Sequence, residues 1–177
     1  MSESVSVNSA NFINVRFGTT RGHVNQLEKW ADLDDSDPST KLNEAISVYA
    51  FIREQVDQGK QILLYDPLTG IESRARLRVI KDGIKYTVWS KMTSKPDPSK
   101  RQVELRFRLT LAGLSNLERL AIRDSTHTNE KLGEMIEIYV GLRKQMDKGR
   151  KIMIYDPQTE KYAELKLPTR KDTDLTP

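Results

Sequence analysis

The sequence predicts an α+β fold built from two similar halves that follow each other along the chain. Shifted by ninety residues, the chain matches itself without a gap, and 22 of the 67 pairs between 13–79 and 103–169 are identical. Each half contains an alternating apolar and polar stretch, two stretches with helical spacing, and two short runs around an Asp-Pro turn. Because the period exceeds the roughly 20 to 50 residues of solenoid repeats, we interpret it as duplication of a whole structural unit.

A strand opens each half. Residues 103–110 alternate strictly, which places the apolar residues on one face and Glu104, Arg106 and Arg108 on the other. In the first half, apolar residues alternate with Asn14, Arg16 and Gly18 in the same way. We therefore predict one strand at 12–20 and another at 102–110, each buried on one face only.

Two amphipathic helices follow each strand. Helical spacing of apolar residues predicts a short helix at 24–33 and a longer one at 39–58 in the first half. The second half repeats the pattern with a short helix at 114–124 and a longer one that ends at Gly149, a residue suited to a left-handed helix end. The polar run 125–128 between them is expected to supply hydroxyl caps.

A hairpin closes each half, with Asp66-Pro67 and Asp156-Pro157 in the turns. These elements divide the chain into a disordered start (1–11), a first unit (12–80), a linker with a further strand at 86–89 (81–101), a second unit (102–168) and a flexible tail (169–177). Exposed strand edges on the hairpins would allow two chains to pair as a homodimer.

Composition excludes several classes of protein. No apolar run approaches the length of about 18 residues that a membrane span requires. The chain has no cysteine, so disulfides and thiolate metal sites are excluded and a cytoplasmic location is expected. The polar first residues lead us to expect no secretory signal. A formal net charge of +4 is compatible with an anionic partner.

Residues for catalysis are not apparent. No glycine-rich phosphate loop or nucleophile motif occurs, so we expect neither an enzyme nor a bound cofactor. His23 and His127 do not align under the repeat and have no partners at metal-ligand spacing, so we expect no metal site. Tyr49 and Tyr139 occupy matched apolar positions and are expected in the core.

The order strand, short helix, longer helix, seen at 13–20 with 27–56 and at 103–110 with 114–146, resembles the ribbon-helix-helix family of transcription factors. The resemblance implies that two such units intertwine, with their strands paired into an antiparallel ribbon and their four helices in one core. In this chain both units would come from one molecule, as an intramolecular pseudo-dimer. The hairpin that starts after Gly59 resembles an extension found in some bacterial members.

Physical chemistry independently favours the paired arrangement. A lone strand leaves backbone donors and acceptors unsatisfied, and two helices of this size bury too little apolar surface to be stable. Pairing the two predicted strands removes both problems. Covalent linkage also makes the association independent of protein concentration.

The resemblance implies binding of double-stranded DNA, with the polar face of the ribbon in the major groove, as a transcriptional repressor or as an accessory factor in DNA processing. Helix starts in this family lie against phosphates. The residues that would contact bases are Asn14, Arg16, Glu104, Arg106 and Arg108, and those that would contact phosphates are Ser39, Thr40, Lys41, Thr128, Asn129 and Lys131. Because the two strands differ, the expected site is imperfect or non-palindromic.

The acidic segment 32–37 favours an alternative. Four aspartates lie here, next to a helix start that the resemblance places against phosphate, where they would repel the DNA backbone. The chain would then be a protein-interaction module that keeps the fold without DNA binding and uses its hairpins as the contact surface. A DNA-binding antitoxin would need a disordered inhibitory tail, and the polar residues after Leu167 are too few for one.

Overall fold

The computed structural model describes residues 11–74, 77–80, 83–86 and 102–167. Four helices and three antiparallel sheets occur in these ranges, which confirms the predicted α+β class. The elements in chain order are β1 (Phe12–Thr20), α1 (Arg21–Leu33), α2 (Pro38–Asp57), β2 (Gln61–Tyr65), β3 (Glu72–Arg74), β4 (Leu77–Ile80), β5 (Gly83–Tyr86), β6 (Gln102–Thr110), α3 (Leu111–Arg123), α4 (Thr128–Asp147), β7 (Lys151–Asp156) and β8 (Lys161–Leu165).

Several predictions concern residues outside these ranges. The disordered start, most of the linker and of its strand at 86–89, and the flexible tail lie outside the described residues. Within the described ranges, every helix is too short or too polar to span a membrane.

Strands β1 and β6 pair antiparallel along their full length and form a two-stranded sheet, called the ribbon below. Phe12 lies opposite Thr110 and Thr20 opposite Gln102 at its two ends. Side chains on one face pack onto the helices, with Phe107 and Leu109 among the buried ones. This face gives the predicted strands their alternating pattern.

Both short helices begin directly at the end of a ribbon strand, three residues earlier than predicted. Thr20 caps α1 by accepting a hydrogen bond from the backbone N of His23, and Thr110 caps α3 by accepting one from Gly113. The two long helices end as the sequence indicates, because Gly149 has a φ of 79° and its counterpart Gly59 one of 81°.

The two halves share one core. Helix α2 of the first half packs against α4 of the second, and the apolar residues of both halves form a single buried cluster. Tyr49 and Tyr139 lie fully buried in it, as predicted. The largest other fully buried apolar side chains are Trp30, Leu27, Leu42, Ile46, Ile52, Leu109, Leu117 and Leu120.

The hairpin strands β2 and β7 pair with each other and make one four-stranded sheet of order β3-β2-β7-β8. Ile62 lies opposite Ile154 and Leu64 opposite Ile152, and all four side chains join the core. The inner edges that were expected to be open are therefore paired within the chain. Only β3 and β8 are edge strands of this sheet, and a homodimer through them stays a prediction.

The predicted hairpin at 61–80 is two hairpins in the structure. Strand β2 pairs with β3, whereas β4 pairs with β5, so that Leu77 lies opposite Tyr86 and Ile80 opposite Gly83. The adjacent Asp82-Gly83 is a turn signal that explains the second reversal of the chain. Strand β5 contacts α4 and lies outside the ninety-residue repeat.

Candidate nucleic-acid interface

The outer face of the ribbon carries all five residues for which the family resemblance implies base contacts. Asn14 lies opposite Arg108, and Arg16 opposite Arg106. Glu104 lies opposite Gly18, and all five side chains are exposed. The structure thus gathers these residues on one solvent-exposed strip.

The centre of this strip concentrates positive charge. Arg16 and Arg106 face each other across the strands, an arrangement that destabilises an isolated sheet when both residues carry the same charge. Arg16 also forms an ion pair with Glu104 at 3.7 Å between Nη1 and Oε1. Both partners of that pair are largely exposed, so it contributes little stability. The strip is therefore well suited to an anionic ligand.

One end of the ribbon lies next to the first residues of α2 and is called the α2 end. Side chains of α2 hold the backbone of β6 in place there. The Ser39 hydroxyl accepts from the backbone N of Arg108 at 3.1 Å. The Asn43 amide donates to the backbone O of Arg108 at 2.9 Å and accepts from the backbone N of Thr110 at 3.0 Å. The Arg108 guanidinium lies 5.7 Å from the ring centroid of Phe12. The backbone that carries Arg108 is thus fixed while its side chain remains exposed.

The backbone amides in the first turn of α2 already donate to a carboxylate of the protein itself. Asp37 caps this helix and accepts from the backbone N of Ser39 at 2.9 Å and of Thr40 at 3.1 Å. Burial disfavours the charged carboxylate, but these hydrogen bonds outweigh it and lower the pKa of Asp37. Phosphate contact by Ser39 and Thr40 was predicted from these amides, which already donate to the Asp37 carboxylate, so the contact stays a prediction.

The other end of the ribbon, called the α4 end, has a different helix start. His127 occupies the cap position of α4 and makes no side-chain cap hydrogen bond within the described part of the chain, so the predicted hydroxyl cap is not formed. Asn129 is exposed and Thr128 half-buried. A cleft of about 450 Å³ joins this helix start to the ribbon, and its lining residues are Arg16, Gly18, Gln102, Val103, Glu104 and Asn129.

Lys131 does not reach the surface. Its ammonium lies 2.6 Å from Asp124 and 2.6 Å from Glu134, and its side chain is fully buried. Burial disfavours the charged form, but the two carboxylates outweigh it and raise the pKa of Lys131. Arg53 from the first half reaches the same Asp124 at 3.1 Å. The predicted phosphate contact by Lys131 is therefore corrected.

Lys41 lies in the matching cluster. Its ammonium contacts Asp34 at 2.7 Å and Glu44 at 2.9 Å, and Arg143 from the second half contacts Asp34 at 2.9 Å. Burial disfavours ionisation of Asp34, but the hydrogen bonds from Lys41 and Arg143 lower its pKa. Lys41 is likewise too buried to contact phosphate.

A tyrosine from the opposite half completes each cluster. Tyr49 donates its hydroxyl to Glu134 at 2.9 Å, and Tyr139 donates to Glu44 at 2.6 Å. Burial and the charge of Glu134 raise the pKa of Tyr49 to about 12. Each cluster therefore joins the two halves through polar contacts inside the core.

Sequence reasoning missed these clusters although a signal was present. Their charged members recur at the same positions after a shift of ninety: Asp34 and Asp124, Lys41 and Lys131, Glu44 and Glu134, Arg53 and Arg143. The clusters also change the meaning of the acidic segment 32–37. Asp34 is neutralised inside the protein and Asp37 is a helix cap, so at least two of the four aspartates of this segment have partners within the protein.

The two ring nitrogens of His23 have contacts within the protein. Its Nδ1 lies 3.0 Å from the Thr19 hydroxyl, and its Nε2 lies 3.5 Å from Glu137. Among the residues that the structure describes, no group of three or more histidine, aspartate or glutamate side chains is arranged to hold a metal ion.

Comparison with models of known protein families, with curated proteins and with solved structures finds no significant match to this chain.

Proposed function

We propose that this chain is a single-chain, tandem ribbon-helix-helix protein that binds double-stranded DNA by placing the ribbon in the major groove. It would act in the cytoplasm as a transcriptional regulator or as an accessory factor in DNA processing. The observation that carries the proposal is the exposed strip with Arg16 opposite Arg106 and Asn14 opposite Arg108. A two-stranded ribbon fits the major groove, which is about 12 Å wide.

The residues on the strip match the chemistry of base edges. Arginine binds the O6 and N7 of guanine through two hydrogen bonds, and asparagine binds adenine in the same way. Arg16, Arg106 and Arg108 would contact guanines and Asn14 an adenine, while Glu104 could accept from the amino group of cytosine. A DNA duplex would also neutralise the facing pair of arginines.

Phosphate contacts differ between the two ends. At the start of α4, where Thr128 and Asn129 lie, no side-chain cap hydrogen bond occurs among the described residues, and the backbone amides and the helix dipole favour an anion there. At the α2 end, Asp37 fills this role internally, and Lys41 and Lys131 are buried. Phosphate contact is therefore assigned to the α4 end alone.

Unequal ends imply an unequal DNA site. A symmetric ribbon recognises a palindrome because each strand presents the same residues. Here the strands present Asn14, Arg16 and Gly18 against Glu104, Arg106 and Arg108. The preferred site would have related central base pairs and unrelated flanks.

The proposal is tested by fluorescence anisotropy with a duplex of the sequence that wild type selects from a random pool, and with the variant Arg16→Ala plus Arg106→Ala. Each arginine that binds a guanine through two hydrogen bonds is worth about 1 to 3 kcal/mol against the wrong base, so the variant should bind this duplex at least tenfold more weakly. The matched control is Lys161→Ala plus Lys166→Ala, which removes the same charge from exposed residues on and beside β8. Equal affinity of the two variants would contradict the proposal.

A second candidate function is a protein-interaction module, and one observation favours it. An apolar groove of about 540 Å³ lies beside α2, with Phe12, Val48, Phe51 and Leu165 in its lining. Phe12 and Phe51 are exposed. Binding that is unaffected by salt would favour this function, whereas contacts between arginines and phosphates weaken steeply as salt rises.

A further inference from the structure

A helix holds the outer edge of the ribbon at the α2 end. In a two-stranded sheet, the backbone groups on the outer edge of each strand have no neighbouring strand to pair with. In β6, the N and O of Arg108 and the N of Thr110 instead bind side chains of α2. Ser39 makes the first of these hydrogen bonds, and Asn43 makes the other two. The strand that carries Arg108 is thus joined to a helix of the core.

Asn43 is the central residue of this contact. Its amide nitrogen donates to the backbone O of Ser39 at 2.8 Å and of Arg108 at 2.9 Å. Its amide oxygen accepts from the backbone N of Thr110 at 3.0 Å and from the hydroxyl of the same residue at 3.3 Å. Because both the donor and the acceptor of the amide are engaged, the side chain is held in one orientation.

The two ends of the ribbon exchange a large and a small residue. Under the ninety-residue repeat, Asn43 corresponds to Gly133, and Gly113 corresponds to His23. A Cβ added at Gly113 would lie 2.8 Å from the Asn43 side-chain oxygen, so this glycine makes room for the amide. At the α4 end, His23 lies over Gly133 instead, with its ring 3.4 Å from an added Cβ. Gly133 has no side chain that could bind the ribbon as Asn43 does.

The contact occurs at the end of the ribbon that presents an arginine. The residue of β1 that matches Arg108 is Gly18, which has no side chain to contact a base. The reading side chain and the asparagine thus occur together at the α2 end, and glycines replace both at the α4 end. A contact that served stability alone is expected at both ends, as found for the two clusters of buried charges. The pattern therefore points to a role in placing Arg108.

The position of Arg108 explains why its backbone needs support. It lies two residues before the end of β6, and strand ends open more easily than strand centres. An arginine distinguishes guanine from other bases through two simultaneous hydrogen bonds, and such a pair requires a placement within about 0.5 Å. The Phe12 ring, 5.7 Å from the guanidinium, also limits the side chain. Loss of the α2 contact would release the backbone that supports this geometry.

We propose that Asn43 is a positioning residue for base recognition, which makes the α2 end of the ribbon the end that discriminates most strictly between bases. This inference rests on the proposed function of the ribbon. Asn43 acts through the backbone of Arg108 and does not itself contact DNA. Ser39 assists through its hydroxyl, which accepts from the backbone N of Arg108.

The test measures affinity for the duplex that wild type selects from a random pool and for the same duplex with single base-pair changes. Arg108→Ala identifies the base pair that this arginine reads, because discrimination there should fall by about tenfold. Asn43→Ala should lower discrimination at the same base pair by about fivefold or more. At the central base pairs, assigned to Arg16 and Arg106, it should change discrimination by less than about twofold.

Two further variants separate positioning from stability. Ser39→Ala removes one hydrogen bond to the strand and should lower discrimination at the same base pair, and it carries the test if Asn43→Ala does not fold. The matched control is Val56→Ala, which weakens core packing near the other end of α2. The control should reduce stability and leave discrimination at every base pair unchanged. Circular dichroism checks that each variant is folded.

The outcomes separate this inference from the function of the ribbon. If wild type enriches no motif at low salt, both fail. If Arg108→Ala loses discrimination at one base pair while Asn43→Ala and Ser39→Ala keep it, only the positioning role fails. An equal loss of affinity for all duplexes in Asn43→Ala would assign this residue a structural role and overturn the inference as well.

Discussion

The two ends of the ribbon differ in the groups that they present to a ligand. At the α2 end the strand presents Arg108 and the helix start is neutralised by Asp37. At the α4 end the strand presents Gly18 at the position matching Arg108, and the helix start has no side-chain cap within the described residues. Binding of DNA would thus depend on an arginine side chain at one end and on backbone amides at the other.

The interior does not show this difference. Both clusters of buried charges contain the same residue types with matching ion pairs between lysine and two carboxylates, and each takes an arginine and a tyrosine from the opposite half. The duplicated chain kept the contacts that hold its halves together and diversified the surface. The equivalence of the two buried clusters can therefore be tested separately from the difference between the two ends of the ribbon.

Removing the central carboxylate of a cluster should have the largest effect on stability. Asp124→Ala leaves Lys131 and Arg53 buried without their shared partner, and Asp34→Ala does the same for Lys41 and Arg143. Each variant should lower the free energy of unfolding by about 3 to 5 kcal/mol, measured by urea denaturation.

The control for this pair is Glu118→Ala, because Glu118 is exposed on α3. Its effect should stay within about 0.5 kcal/mol. A loss below about 1 kcal/mol in either cluster variant would contradict the claim that its carboxylate neutralises buried cations between the two halves.

Two glycines should respond with opposite sign to alanine. At Gly113 an added Cβ would lie 2.8 Å from the Asn43 side chain, which is fixed by hydrogen bonds to Arg108 and Thr110. Gly113→Ala should cost about 1 to 3 kcal/mol. At Gly133 the nearest atom, in His23, is 3.4 Å away, so Gly133→Ala should gain up to about 1 kcal/mol of helix propensity. Thermal unfolding of both variants measures the difference, and destabilisation by both would refute the assigned packing.

Substitutions at the starts of α2 and α4 should change the free energy of unfolding by a smaller amount, and one of them should also change DNA binding. Asp37→Ala should cost about 1 kcal/mol through loss of the cap, and His127→Asp should gain a similar amount at the matched position. The added carboxylate should also weaken duplex binding, because it would occupy the amides assigned to phosphate. A His127→Asp variant that binds DNA as tightly as wild type would remove the α4 start from the interface.

The pH dependence of the Asp37 effect provides a further check. The pKa of Asp37 is lowered in the folded protein, so the stability that it contributes is present above its unfolded pKa of about 3.9 and is lost as the pH falls through the folded value. The stability difference between wild type and Asp37→Ala should therefore be constant from neutral pH down to about pH 5 and disappear in stronger acid.

Much of the fold follows from the sequence because its strongest patterns are local. Strict alternation located β1 and β6, helical spacing located the four helices, and the repeat implied that the two strands pair. The pairing of the two hairpins could not be predicted from local patterns. Leu63 pairs with Met153 of the other half, and this contact joins the hairpins into one sheet. Such a long-range contact leaves no periodic signal in either strand alone.

The candidate site was predictable where exposure follows from strand alternation and not where it depends on tertiary contacts. Arg106 and Arg108 were placed correctly on the outer face because every second residue of a half-buried strand faces solvent. Lys41 and Lys131 were misplaced because a lysine in a first helical turn is usually exposed, and only the fold brings buried carboxylates to it.

The central claim is that the ribbon is an asymmetric DNA-recognition surface. The most direct measurement is selection of bound sequences from a random duplex pool by mobility shift, with wild type and with Arg106→Ala plus Arg108→Ala. We predict that wild type enriches a motif without dyad symmetry and that the double variant loses it. A fully palindromic motif would contradict the asymmetry, and no enrichment at low salt would contradict DNA recognition itself.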